Sequence, residues 1–182
     1  MNDKNKRKLD EITGHISKSI EKSEGSGGYA YSSSLTTPRA RQIAGLWKVI
    51  EHVDDGVPYA EAFARSTFRG AEHSPLSYDA TYEFSGNTCV KRVMLHGTVL
   101  SDGRNADFEY RMSAVLTWEI GPDVISARPI LGYQITSIDG APASVRELPN
   151  AVAGIIIQYA LDGDALTLTD GSDVKRLARI PS

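Results

Sequence analysis

Residues 107–120, DFEYRMSAVLTWEI, decide between the folds open to this chain. Phe108, Tyr110, Met112, Ala114, Leu116, Trp118 and Ile120 occupy every second position, while Asp107, Glu109, Arg111, Ser113, Thr117 and Glu119 fill most of the gaps. Successive side chains of an extended strand point to opposite faces, so the alternation predicts one strand with a dry face and a wet one. About 13 residues is long for a strand in an open sheet. It is more natural for the tilted strands of an up-and-down barrel.

The flanking sequence supports this reading. Asp-Gly pairs stand at 55–56, 102–103, 139–140, 162–163 and 170–171, and Ser85-Gly86-Asn87 adds a sixth turn signal. These residues tolerate the positive φ of tight hairpin turns. Between them lie TYEFS, CVKRVMLHGTVL, DVISARPI, GYQITSI, AGIIIQYAL, ALTLT and DVKRLARI, each alternating or apolar. With the strand near residue 47, these segments predict an all-β antiparallel barrel of eight to nine strands over residues 43–182. VPYAEAFARSTF, residues 57–68, interrupts them as a short helix or a long rim loop.

The first 24 residues have a different texture. Leu9, Ile12, Ile16 and Ile20 recur at steps of three and four among lysines and acids, which predicts an amphipathic helix. The sequence from residue 25 to 42 opens on Gly and Ser and is expected to be a flexible tether. A helix on such a tether is expected either to cover the barrel as a lid or to bury its stripe in a homodimer.

Composition narrows the function. The 182 residues are 41% hydrophobic and 24% charged, with net charge −3 and a pI near 5.8. No broad basic field is available for nucleic acid or an anionic membrane. Without a secretory apolar run or a ~20-residue span, a cytoplasmic location is expected. Cys89 is the sole cysteine and reads as a buried, inert thiol. His15, His52, His73 and His96 are scattered, so neither a metal nor another cofactor is expected.

The stretch IAGLWKVIEHV, residues 43–53, then acquires meaning. Gly45-x-Trp47 on the first strand, with an arginine on the last, resembles the signature of the lipocalin-like, or calycin, barrels. The resemblance implies that Trp47 plugs the closed end, that Gly45 lets the chain turn beneath it, and that Arg176, or else Arg179, packs on the indole. A period of two from Trp47 would carry Val49 and Glu51 inward. Glu51 would then need a partner such as Arg92, Arg111 or Arg128, unless a bulge turns it outward.

Length, barrel punctuation and the N-terminal helix also resemble the spirotetramate- and spirotetronate-forming Diels-Alderases of bacterial polyketide pathways. That resemblance implies a cofactor-free cyclase acting on a linear, apolar, polyketide-derived substrate. A [4+2] cyclisation requires only that diene and dienophile be folded together and that one carbonyl be polarised. Tyr82, His96, Tyr110, Gln134 and Glu51 are the candidate polar groups. Val49, Phe84, Met112, Trp118 and Tyr133 are the candidate walls. Because Tyr133 and Gln134 are adjacent, only one of them faces inward unless a bulge intervenes. The alternatives are a carrier or sensor of an apolar small molecule and a module whose helix docks a protein partner.

Overall fold

The computed structural model describes residues 37–148 and 154–181. In chain order these form α1 (Pro38–Ile43), β1 (Gly45–Asp54), β2 (Val57–Pro58), α2 (Tyr59–Phe68), β3 (Ser77–Ser85), β4 (Thr88–Ser101), β5 (Arg104–Ile120), β6 (Val124–Ile138), β7 (Ala141–Glu147), β8 (Ile155–Asp162), β9 (Ala165–Asp170) and β10 (Asp173–Arg179). Neighbouring strands are antiparallel throughout. The sheet closes where β1 pairs with β10, from Trp47 opposite Arg179 to Asp54 opposite Asp173. The closed ring is β1-β3-β4-β5-β6-β8-β9-β10, with β2 appended to β1 and β7 to β6. This is the predicted all-β antiparallel barrel, an architecture compatible with a lipocalin-like fold.

All six turn signals fall at hairpins. Asp55, Asp102 and Asp139 adopt φ of 50°, 50° and 51°, each followed by a glycine that also has positive φ, the combination that type I′ turns need. The helix expected over residues 1–24, with Leu9, Ile12, Ile16 and Ile20, lies outside the described residues, as does the tether up to residue 36. Residues 38–42, expected to end that tether, belong instead to α1. Thr37 caps α1 by accepting a hydrogen bond from the Ala40 amide at 3.1 Å, and Pro38 stands at its first turn, where its missing N–H costs nothing.

Helix α1 seals one end of the barrel. Ala40 and Ile43 are fully buried against Trp47, whose Nε1 donates to the Ile43 carbonyl at 2.7 Å. The expected stack of an arginine on this indole is made by Arg179, 4.2 Å from the ring, and not by Arg176. Arg179 shares the inward parity of Leu177 on β10. Arg176 has the opposite parity and forms an exposed ion pair with Glu51 at 2.8 Å. Arg179 also donates to the carbonyls of Ala44, at 2.7 Å, and Gln42, and to Asp164 at 3.0 Å. It thereby ties α1, β1 and the β8–β9 turn into one plug. Gly45 has φ of +124°, and a Cβ there would lie 2.9 Å from Arg179 Nη1. A side chain at Gly45 would collide with the plug.

Helix α2 crosses the other end. Tyr59 stacks on His52 at 4.1 Å, Phe63 lies 4.8 Å from Tyr110, and Phe68 meets Phe108 edge-on at 4.9 Å. The segment at 57–68, which the sequence leaves open between helix and loop, is therefore a helix that roofs the barrel. Its aromatic residues at steps of four and five form the underside.

Two strands of the closed ring carry an extra residue. On β1 the register slips between Val49 and Glu51, and Ile50 is left 67% exposed. On β6 it slips between Pro129 and Leu131, with Ile130 exposed. A bulge of one residue exchanges the inner and outer faces beyond it. These two slips decide which polar groups enter the barrel.

Candidate functional site inside the barrel

Beyond the bulge in β1, His52 rather than Glu51 points inward, and only 8% of its surface is exposed. Its Nε2 lies 2.7 Å from Asp173 Oδ1, and its Nδ1 lies 2.9 Å from the Tyr78 hydroxyl. With the carboxylate accepting from Nε2–H, Nδ1 accepts the hydrogen bond of the Tyr78 hydroxyl. The second oxygen of Asp173 accepts from Lys175, also 8% exposed. Burial alone would raise the Asp173 pKa. The hydrogen bonds from His52 and Lys175, with the charge of Lys175, outweigh it and hold the carboxyl down at about 2. Asp173 is thus ionised inside the barrel, with both oxygens engaged.

Lys91 adds a second interior cation. On β4 it lies opposite Tyr82 of β3 and Ala114 of β5, both buried. Its ammonium sits 5.7 Å from the Tyr82 ring. Burial, and then the charge of Lys175, lower its pKa to about 8, against a smaller opposing pull from Asp173.

Beside these polar groups, on β3 and β5, stands an aromatic wall. Phe84 packs edge-on to Trp118 at 5.0 Å and lies 6.2 Å from Tyr82. Val49, Tyr82, Phe84, Tyr110 and Trp118 are all buried on the inner face, and Met112 is partly buried there. Burial raises the Tyr82 pKa well above the ordinary phenol value and that of Tyr110 to about 12. Both therefore remain neutral donors at any physiological pH. Trp118 Nε1 is buried with no hydrogen-bond partner. Cys89 is buried too, and burial pushes its thiol up to about 12, which leaves it protonated and unreactive.

Three candidates do not reach the interior. Glu51 is exposed and bound to Arg176, because the bulge at Ile50 reverses its side. His96 lies opposite Ser77 and Glu109 on the outer face, since its neighbour Gly97 holds the inward position opposite Phe108. Tyr133 lies outside opposite Ser113, while Gln134, opposite Met112, takes the inner face. The bulge at Ile130 makes that choice. Tyr133 instead lines a groove of about 330 Å³ on the outer wall with Asp79, Thr81, Arg92, Met94 and Arg111. Both arginines there are paired with glutamates, Arg92 with Glu83 and Arg111 with Glu109.

The reading from sequence missed His52, Tyr78, Lys91, Asp173 and Lys175. A signal existed for two of them. Lys91 shares parity with Cys89, Val93 and Leu95, and Lys175 with Leu177, so each lies on the apolar side of its strand.

Among the described residues, no group of three or more His, Cys, Asp or Glu is arranged to hold a metal ion. No described helix is long and apolar enough to cross a membrane. Comparison of the chain with protein-family models, with curated proteins and with solved structures finds no match.

Proposed function

We propose that the barrel encloses a linear, largely apolar small molecule and promotes its intramolecular [4+2] cyclisation, acting as a cofactor-independent cyclase on a polyketide-derived chain. The observation that carries this reading is the division of one enclosed inner face into an aromatic wall and a small set of neutral donors. Trp118, Phe84 and Met112 supply surface against which a polyene folds. Tyr82, Tyr110 and Gln134 supply hydrogen bonds to a carbonyl conjugated with the dienophile.

Confinement is the main agent. Holding reacting carbons ~3–3.5 Å apart in an aligned conformer removes several kcal/mol of a barrier that is largely entropic. Exclusion of water by the roof and the plug favours the compact conformer and strengthens each hydrogen bond to the activated carbonyl. No proton leaves or joins the substrate, so the high pKa values of Tyr82 and Tyr110 suit the role. A lid role for residues 1–24 belongs to the same proposal.

A carrier is the second reading. It is favoured by the mutual saturation of His52, Asp173 and Lys175, whose hydrogen bonds hold one another in place. Incubating the full chain with a linear polyene that bears a conjugated dienophile separates the two. A cyclase yields a product of unchanged mass and altered chromatographic retention, and Tyr82→Phe or Tyr110→Phe slows it about tenfold, the rate equivalent of one modest hydrogen bond. Recovery of bound but unaltered polyene identifies a carrier. Absence of binding ends both readings.

A further inference from the structure

The interior holds more positive than negative charge. Lys91 and Lys175 both point inward, and Asp173 is the carboxylate set between β1 and β10 to meet them. Its two oxygens are already taken by Lys175 and His52. Lys91 meets no carboxylate within ion-pair distance among the described residues, and its ammonium rests over an aromatic ring. The outer lysine Lys48, by contrast, is paired with Asp79 at 2.9 Å. A cation held inside a protein without a counter-ion weakens the fold.

The other inner groups have the same bias. Trp118 Nε1 can only donate, and it lacks a partner. Tyr82 and Tyr110 keep their protons and so can donate as well. An interior that offers two ammoniums, the Tyr82 and Tyr110 phenols and an indole N–H, beside a carboxylate whose oxygens are both taken, is complementary to an acceptor that bears a negative charge.

We propose that Lys91, assisted by Lys175, forms an internal anion site that seats the acidic head group of the ligand, an ionised carboxylic acid or enol, while its apolar chain lies against the aromatic wall. The site rests on the reading of the barrel as a container, and it deepens that reading by naming the class of guest: an amphiphilic monoanion in place of a neutral hydrocarbon. An ammonium bound to an enolate or carboxylate conjugated with the reacting chain also fixes which end of the guest enters first. The aromatic wall then receives the tail.

Decanoate and decan-1-ol share a chain and differ in the charge of the head group. Isothermal titration of the full chain with each, at pH 7 and below micellar concentrations, is expected to show decanoate bound at least about tenfold more tightly, as a charge-assisted hydrogen bond provides. Lys91→Met is expected to abolish that preference and leave decanol binding within about threefold of the wild type. Lys91→Arg, which keeps the charge, is expected to retain the preference, and so is Lys48→Met on the outer face. Equal binding of the two probes by the wild type overturns the anion site and leaves the container intact. A preference that survives Lys91→Met overturns the assignment to Lys91. Binding of neither probe overturns both the site and the container.

Discussion

Replacing Lys91 by methionine should make the protein more stable, and the size of the gain follows from the position of the ammonium. Burial and the nearby Lys175 lower the Lys91 pKa from an ordinary 10.5 to about 8, a drop of about 2.5 pH units. At about 1.4 kcal/mol per unit, the charged form is disfavoured in the folded state by roughly 3 kcal/mol relative to the unfolded chain. The side chain is partly reached by water, which reduces this to about 2 kcal/mol. The lost cation–π contact with Tyr82 subtracts about 0.5 kcal/mol. Methionine has nearly the same length and no charge, so Lys91→Met should gain about 1.5 kcal/mol in urea unfolding at pH 7. Its thermal midpoint should rise by roughly 3–6 °C for a chain of this size. The pH dependence of stability adds a second readout. A lowered lysine pKa means that above about pH 8 the folded state has released a proton that the unfolded state still binds. Wild-type stability should therefore rise between about pH 8 and 10 relative to the variant, and the gap between the two should close. The other titrating groups near Lys91 are Tyr78, Tyr82, Cys89, Asp173 and Lys175, and all of them remain in the variant, so the difference reports Lys91. A variant less stable than the wild type at pH 7, or a gap that does not close, would refute the reasoning.

Arg179→Ala removes the indole stack and donors to two carbonyls and Asp164, and should cost about 2–4 kcal/mol in urea unfolding; Arg176→Ala, on the surface, should cost less than about 1 kcal/mol. Gly45→Ala should destabilise by about 1–3 kcal/mol, because its φ is positive and its Cβ would collide with Arg179, and the Trp47 emission should shift as the plug loosens. Asp173 has a depressed pKa, so its contribution is present above the ordinary carboxyl value of 3.8 and lost as pH falls towards about 2. For this partly exposed group that is about 1 kcal/mol, and Asp173→Asn should remove this part of the acid transition in a pH-resolved denaturation series.

The barrel was legible because its signals are local. Six turn signals each specify a hairpin through backbone conformation alone, and the alternation from Phe108 to Trp118 identifies a half-buried strand without knowledge of its partners. The plug was legible as Gly45 and Trp47. The choice between Arg176 and Arg179 was available from parity with Leu177. The polar interior was harder, because lysine and aspartate are ordinarily read as solvent-facing. At Lys91 and Lys175 the apolar neighbours two residues away carried the correct information. Glu51, His52, Tyr133 and Gln134 were not decidable in this way. Their sides depend on bulges at Ile50 and Ile130, and a bulge is fixed by register with β10 and β5 rather than by any residue of its own strand. Nor does a helical stripe such as Tyr59 and Phe63 reveal which end of a barrel it will roof.

The extra isoleucines on β1 and β6 make each of these strands tolerant of a one-codon loss at one place. Losing the single codon at Ile50 would restore plain alternation from Val49 through Glu51 to His52, so the imidazole would stay within and the acid without. An in-frame deletion at Ile130 would likewise leave the amide of Gln134 within and the phenol of Tyr133 without. Homologues one residue shorter at either place would therefore keep the same lining, and an alignment gap there would mark a lost spacer and not a changed interior.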